Sequence, residues 1–141
     1  MITFQLVTLH GIKFSQEVHE VLLPTPLGEI GVFEHHVPLI SVASPGIIKI
    51  RKKANHPNEL LEMFATNGGV IEIADNTVRI LVDEADTAAE INQKEAQQAL
   101  ERAKELRKNA KDQGSLAEAQ SLIDRHATRL QLAQLKHRTK R

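Results

Sequence analysis

The 141-residue sequence has no cysteine, tryptophan or tyrosine and only four phenylalanines. The absence of cysteine excludes disulfides and thiolate metal sites. So few aromatic rings argue against a surface that binds nucleic acid by base stacking. No run of about 18 apolar residues is present, so the sequence predicts no membrane-spanning helix. Residues 1–7 lack the pattern of a signal or transit peptide, and we expect a chain that carries neither.

The formal net charge of zero conceals an uneven distribution along the chain. Residues 1–86 contain 6 Lys and Arg against 11 Asp and Glu, a net charge of −5. Residues 87–141 contain 12 against 7, a net charge of +5. This split indicates two modules with different partners. The simpler alternative is that helices tolerate Lys and Arg well.

Residues 1–86 have the pattern of short strands separated by turn residues. Asp75-Asn76 lies between two alternating segments and predicts a tight hairpin. Pro45-Gly46 and Asn67-Gly68-Gly69 are expected to separate further strands. Because no helical segment interrupts them, the strands predict an antiparallel β-sandwich or barrel. The expected strands are residues 4–9, 18–23, 46–51, 60–65, 70–73 and 77–82.

Residues 87–141 are rich in Ala, Glu, Lys, Gln, Arg and Leu and predict two amphipathic helices. The first begins at either Thr87 or Asn92, since each is followed three residues later by a glutamate suited to a capping box. Gly114 is expected to end it, and Ser115 to begin the second helix with Glu118. The short connection predicts an antiparallel helical hairpin. The fold class is therefore mainly β plus α, with a sandwich over 1–86 and a hairpin over 87–141.

Alanines make up about half of the apolar stripe on each predicted helix. An alanine buries much less apolar area than a leucine, so the hairpin should be only marginally stabilised by its contacts. We therefore predict a hairpin that can leave its resting position. A static hairpin docked on the sandwich is an equally good interpretation of the sequence.

The segment Gly28-Glu29-Ile30-Gly31-Val32-Phe33-Glu34-His35-His36-Val37-Pro38-Leu39 is the most informative part of the chain. Gly28 and Gly31 suit a tight turn, and Pro38 places the segment at an edge or corner of the sheet. The segment resembles the signature of the epsilon subunit of bacterial F-type ATP synthases. Pro-Gly, Asn-Gly-Gly and a helical hairpin follow in the order typical of that family, so the resemblance extends along essentially the whole chain.

The resemblance implies a non-catalytic subunit of the rotor central stalk, which couples ion-driven rotation of the c-ring to ATP synthesis. It places Glu29 at the c-ring and His36 against the gamma subunit. It implies no cofactor and a peripheral location at the cytoplasmic face of the bacterial plasma membrane, with membrane association only through the complex.

Many members of that family also inhibit ATP hydrolysis, by extending the last helix toward the alpha and beta subunits. The basic residues of the hairpin would then face an acidic loop of beta, where many weak ion pairs act together. The residues expected to form this regulatory basic face are Arg102, Lys104, Arg107, Lys108, Arg125 and Arg129, with Lys111 beside them. Lys136, Arg138, Lys140 and Arg141 are better explained as a frayed tail.

Nucleotide binding is the one family property from which this sequence departs. Some members bind ATP through Ile or Leu, Asp, two variable residues, Arg and Ala. The matching residues are 91–96, in which Asn92 replaces the acid and Glu95 replaces the arginine. A glutamate repels phosphate, so we predict that the chain binds ATP weakly or not at all.

Other classes of function have little support in the sequence. His35 and His36 are adjacent, and adjacent strand residues point to opposite faces, so we expect no metal site. The patterns of metalloproteases, serine hydrolases and phosphate-binding loops are missing. The remaining alternative is a stand-alone adaptor, unrelated to the rotor, in which each of the two modules binds one partner.

Overall fold

The computed structural model describes residues 1–139, with side chains described through Leu135. Eight strands precede two helices, and short 3-10 turns lie at Asn58–Leu60 and Ala88–Glu90. The helices are α1 (Gln93–Lys108) and α2 (Gln113–Thr139). The strands are β1 (Ile2–Thr8), β2 (Gly11–Val18), β3 (Glu20–Thr25), β4 (Gly28–Val32), β5 (Leu39–Arg51), β6 (Glu62–Ala74), β7 (Thr77–Val82) and β8 (Ala85–Asp86).

The strands form one hydrogen-bonded sheet that folds over to make the sandwich. Its order is β2-β1-β7-β6-β5-β3-β4, and β8 pairs with β6. All neighbours are antiparallel except β1 and β7, which are parallel. The predicted β-sandwich followed by a helical hairpin is therefore confirmed, with one parallel pair that the sequence pattern did not indicate.

The expected breaks at Pro45-Gly46 and Asn67–Gly69 are wrong, because both lie inside long strands. β5 and β6 each contain 13 residues and pair from Leu39↔Ile73 to Ile50↔Glu62. Gly68 has a φ of +97°, which a side chain would strain, and the ladder passes from Ala43↔Gly69 to Pro45↔Asn67 around it. Proline and glycine here redirect the strands without ending them.

Two separate apolar clusters hold the molecule together. The first fills the sandwich and includes Phe4, Phe64 and Ile71, all almost fully buried. The second lies between the outer face of β5 and β6 and the helices, where Ile47 and Ala65 contact residues such as Leu100 and Leu132. The hairpin is therefore docked on the sandwich in this structure, on a face that would otherwise expose apolar side chains.

The ends of the helices only partly follow the prediction. The side chain of Asn92 caps α1 by accepting a hydrogen bond from the Glu95 amide at 3.0 Å, while Thr87 and Glu90 form a capping box on the preceding 3-10 turn. The expected stop at Gly114 and capping box at Ser115 are wrong. α1 already ends at Lys108, and α2 starts at Gln113. Asp112 accepts from the Ser115 amide at 2.7 Å instead, a bond that lowers the pKa of the Asp112 carboxyl.

Candidate functional site

Glu29 lies at a free edge of the sheet, because β4 ends the strand order. Its carboxylate is close to half exposed and lies 3.3 Å from Lys49 Nζ. The preceding turn is fixed by Gly28, whose φ is +123°, and by a 2.6 Å hydrogen bond from the Thr25 hydroxyl to the Gly28 carbonyl. Leu27, at the tip of this turn, is fully exposed. Glu29 and Leu27 thus present a carboxylate and an apolar side chain on one rigid hairpin.

His36 lies in the loop that joins β4 to β5. Its Nδ1 is 2.6 Å from the Val37 carbonyl oxygen. Since a carbonyl can only accept, Nδ1 carries the proton in the neutral ring and Nε2 keeps a free lone pair. The loop is held by the His35 amide, which donates to Asn76 Oδ1 at 2.9 Å, and His35 has a φ of +64°. His36 is therefore a partly exposed polar group on a well-anchored loop.

An uncovered row of apolar side chains crosses the sheet beside this loop, and it was not predicted from the sequence. Val42, Val70 and Leu81 are directly paired across β5, β6 and β7 and are all exposed. Ile40, two residues from Val42, adds to the same face. We call Ile40, Val42, Val70 and Leu81 the outer row. The available signal was the run Leu39–Val42, in which every residue but Ser41 is apolar on a strand that exposes alternate residues.

The six residues expected to form one basic face fall into two groups. Arg102, Lys104, Arg107 and Lys108 are exposed on α1, and Arg107 donates to Gln120 at 2.9 Å. Arg125 and Arg129 instead face the sandwich from α2. Arg125 pairs with Glu84, and Arg129 Nε lies 3.1 Å from Asp86 Oδ2. Lys111 is exposed, whereas the side chains of Lys136 and Arg138, together with Lys140 and Arg141, lie outside the described residues.

His126 lies within the second group, between the two arginines in sequence. Burial, followed by the positive charges of Arg125, Arg129 and Arg102, lowers the pKa of His126. Its Nδ1 and the Arg125 Nε are buried without a hydrogen bond to any described residue. The ring is therefore neutral near pH 7, and further positive charge is disfavoured here.

The N-terminus of α1 carries the two residues that depart from the nucleotide-binding pattern. Asn92 uses its side-chain oxygen for the helix cap, as described above, and Glu95 is exposed in the first turn. A bound phosphate at this helix end would therefore lie beside a carboxylate. Among residues 1–135, no group of three or more His, Cys, Asp or Glu side chains is arranged to hold a metal ion.

Comparison with known proteins agrees with the fold. Residues 1–88 match the family described as "ATP synthase, Delta/Epsilon chain, beta-sandwich domain". This assigns the sandwich to the class of ATP synthase delta and epsilon chains.

The closer resemblance is to epsilon chains. The ATP synthase epsilon chain of Herpetosiphon aurantiacus is 33% identical over 135 residues, which is 96% of each chain. The chloroplastic epsilon chain of Pisum sativum is 36% identical over 131 residues, which is 92% of each chain. The chain belongs to the ATP synthase epsilon chain family.

Two solved structures have the same fold. A chain in the mitochondrial ATP synthase of Euglena gracilis, in a structure of OSCP, F1 and the c-ring, matches with a TM-score of 0.77. It is 22% identical, and the match covers 94% of this chain and 81% of that one. A chain in the central stalk and c-ring structure of Tetrahymena thermophila matches with a TM-score of 0.57 at 18% identity, covering 91% and 95%.

Proposed function

We propose that this chain is the epsilon subunit of the rotor in a bacterial F-type ATP synthase, a non-catalytic part of the complex. The observation that carries the proposal is the similarity to a bacterial epsilon chain along 96% of both sequences. An adaptor unrelated to the rotor is not favoured, because such a protein would have no reason to match both the sandwich and the hairpin. Within the described residues, no helix combines the length and apolar character needed to span a membrane. From the assignment to the complex, we propose a peripheral location at the cytoplasmic face of the plasma membrane, through the complex.

The sandwich, residues 1–86, would bind the rotor. Glu29 is suited to the polar or basic loops of a c-ring, since it is an exposed carboxylate at a sheet edge, only loosely paired with Lys49. His36 and the outer row are suited to the gamma subunit. An exposed apolar row next to an anchored polar loop has the composition of a protein–protein interface, with an apolar centre and a polar rim.

Residues 87–141 would regulate ATP hydrolysis by leaving the docked position and binding the alpha and beta subunits. The exposed residues Arg102, Lys104, Arg107 and Lys108 are available for acidic partners in the docked state. Arg125 and Arg129 become available only when α2 leaves the sandwich, because both are paired with carboxylates there.

Reconstitution of an epsilon-depleted ATP synthase from the same source tests the rotor assignment. The full chain should bind and inhibit ATP hydrolysis. Val42→Asp should weaken binding by roughly tenfold or more, since it places a charge in the centre of an apolar interface. Leu60→Asp is the matched control, because Leu60 is 57% exposed and Val42 60%; it should leave binding unchanged.

The outcomes separate the parts of this proposal. A full chain that does not bind the depleted complex contradicts the rotor assignment. Binding of Val42→Asp as tight as that of the wild type contradicts only the role of the outer row. Melting temperatures of both variants should be compared first, so that weakened binding is not mistaken for unfolding.

Titration calorimetry with ATP tests the departure from the nucleotide-binding pattern. We expect no submillimolar binding by the wild type, because Glu95 places a negative charge at the helix end and Arg125 and Arg129 are already paired. The double variant Asn92→Asp/Glu95→Arg should gain measurable affinity. Submillimolar binding of ATP by the wild type would show that Asn92 and Glu95 do not prevent nucleotide binding.

A further inference from the structure

The segment that joins the sandwich to the hairpin is acidic, and three of its four acids are paired with bases elsewhere. We call Glu84, Asp86 and Glu90 the acidic segment. Glu84 accepts a hydrogen bond from Arg125, and Asp86 pairs with Arg129 at 3.1 Å. Glu90 lies 2.8 Å from Lys13 Nζ on β2, a contact that lowers the pKa of Glu90. None of these pairs could be read from the sequence, because the partners are far apart along the chain.

The Glu84 and Asp86 carboxylates are positioned by the sheet and not by the hairpin. β8 pairs with β6 through Thr66↔Ala85 and Ala65↔Asp86. Ala85 is buried in the sandwich core, and this fixes the residues on either side of it. Arg125 and Arg129 belong to α2. The two ion pairs therefore join the sandwich to α2, and they can exist only while the hairpin is docked.

The arginines need these carboxylates in order to dock. Both are partly removed from solvent, Arg129 being 23% exposed and Arg125 34%, while Asp86 is 22% exposed and Glu84 42%. The charges of Arg125, Arg129 and Arg102 all act on His126, so the four groups share one neighbourhood. Among the described residues, no other carboxylate is paired with either arginine. Without Glu84 and Asp86, docking would leave two uncompensated positive charges partly buried, which is unfavourable.

We propose that Glu84 and Asp86 act as an internal acidic partner that masks Arg125 and Arg129 and holds the hairpin docked. An acidic surface of the alpha and beta subunits must then compete with these two carboxylates for the same guanidinium groups. This competition sets the strength of inhibition, since Glu84 and Asp86 and the partner subunits offer carboxylates to the same arginines. The regulatory consequence rests on the proposed function, whereas the masking itself does not.

The proposal predicts that changing the acids and changing the arginines of these ion pairs have opposite effects on inhibition. Glu84→Gln/Asp86→Asn leaves the arginines intact and should favour release, so inhibition of ATP hydrolysis should strengthen by roughly threefold to tenfold. Arg125→Glu/Arg129→Glu removes the groups that bind the alpha and beta subunits and should relieve inhibition while rotor binding persists. Glu17→Gln/Glu59→Gln is the control, because it makes the same change of charge at exposed positions of the sandwich.

Hydrogen exchange of the isolated full chain tests the masking without the complex. Amides of α2 should exchange roughly threefold to tenfold faster in Glu84→Gln/Asp86→Asn than in the wild type. In the control variant they should exchange at the wild-type rate. The reversed pair Glu84→Arg/Arg125→Glu should restore slower exchange. Faster exchange in a chain that never inhibits would support the masking and contradict the regulatory proposal. Unchanged exchange, or weaker inhibition on neutralising the acids, would overturn the masking.

Discussion

Replacement of Gly69 by alanine is expected to destabilise the protein more than the same change at any other glycine of the chain. A Cβ at this position would overlap the Leu81 carbonyl oxygen and would lie 2.9 Å from Val82 Cγ1. β6 is held between β5 and β7 here, so the backbone cannot move away without breaking a ladder. We expect a loss of about 3 kcal/mol or more, comparable to the larger effects of single mutations.

Thermal unfolding measures this effect, with Gly31→Ala as a control in another strand. A Cβ at Gly31 would meet its nearest neighbour at an ordinary 3.5 Å, and the backbone angles are open to any residue. The expectation that Gly31, like Gly28, suits a tight turn is wrong, since Gly31 lies inside β4 and only Gly28 has a positive φ. The melting temperature should fall by roughly 10 °C for Gly69→Ala and little for Gly31→Ala. Equal shifts would show that β6 can move at this point.

Replacement of Leu132 by aspartate is expected to release the hairpin while the sandwich stays folded. Leu132 is fully buried and belongs to the cluster between the helices and the sheet, which is separate from the sandwich core. The change removes the burial of a leucine and places a carboxylate in an apolar site, which together cost several kcal/mol. Alanine-rich contacts elsewhere in the hairpin leave little to offset such a loss.

Limited trypsin digestion should detect the release, since α1 contains several lysines and arginines. Cleavage within residues 94–111 should become at least roughly tenfold faster, because local opening controls the rate. Leu116→Asp is the control on the same helix, at a residue that is 43% exposed. If Leu132→Asp unfolded the whole chain, the two clusters would form one cooperative unit and the hairpin could not move independently.

The parts of the fold that depend on local patterns could be predicted from the sequence. The Asp75-Asn76 hairpin forms with φ values of +50° and +58°, and Asn92 caps α1 as expected. Predictions failed where a local sequence pattern is compatible with two structures, such as a turn and a bend within a strand. Proline and glycine ended no strand at 45–46 or 67–69, and the expected single strand 18–23 turns at His19, between β2 and β3.

Contacts between distant residues were beyond any local pattern. The pairing of Arg125 with Glu84 joins residues 41 positions apart, and a sequence shows charges but not their partners. The arginines of the expected basic face were therefore identified without the carboxylates that neutralise them. The outer row could not be predicted for the same reason, since its residues lie far apart in the sequence and form one surface only when β5, β6 and β7 pair.

The parallel pairing of β1 with β7 imposes an order on the folding of a newly made chain. Phe4 pairs with Val78, so the N-terminal strand must wait for a segment made more than half a chain later. Such distant pairings are slow to form, because a long loop must close first. The helices are synthesised only after β7, and the surface that receives them lies on β5 and β6. The hairpin, which we propose can leave the sheet, is thus added to a surface whose strands have all been synthesised before it.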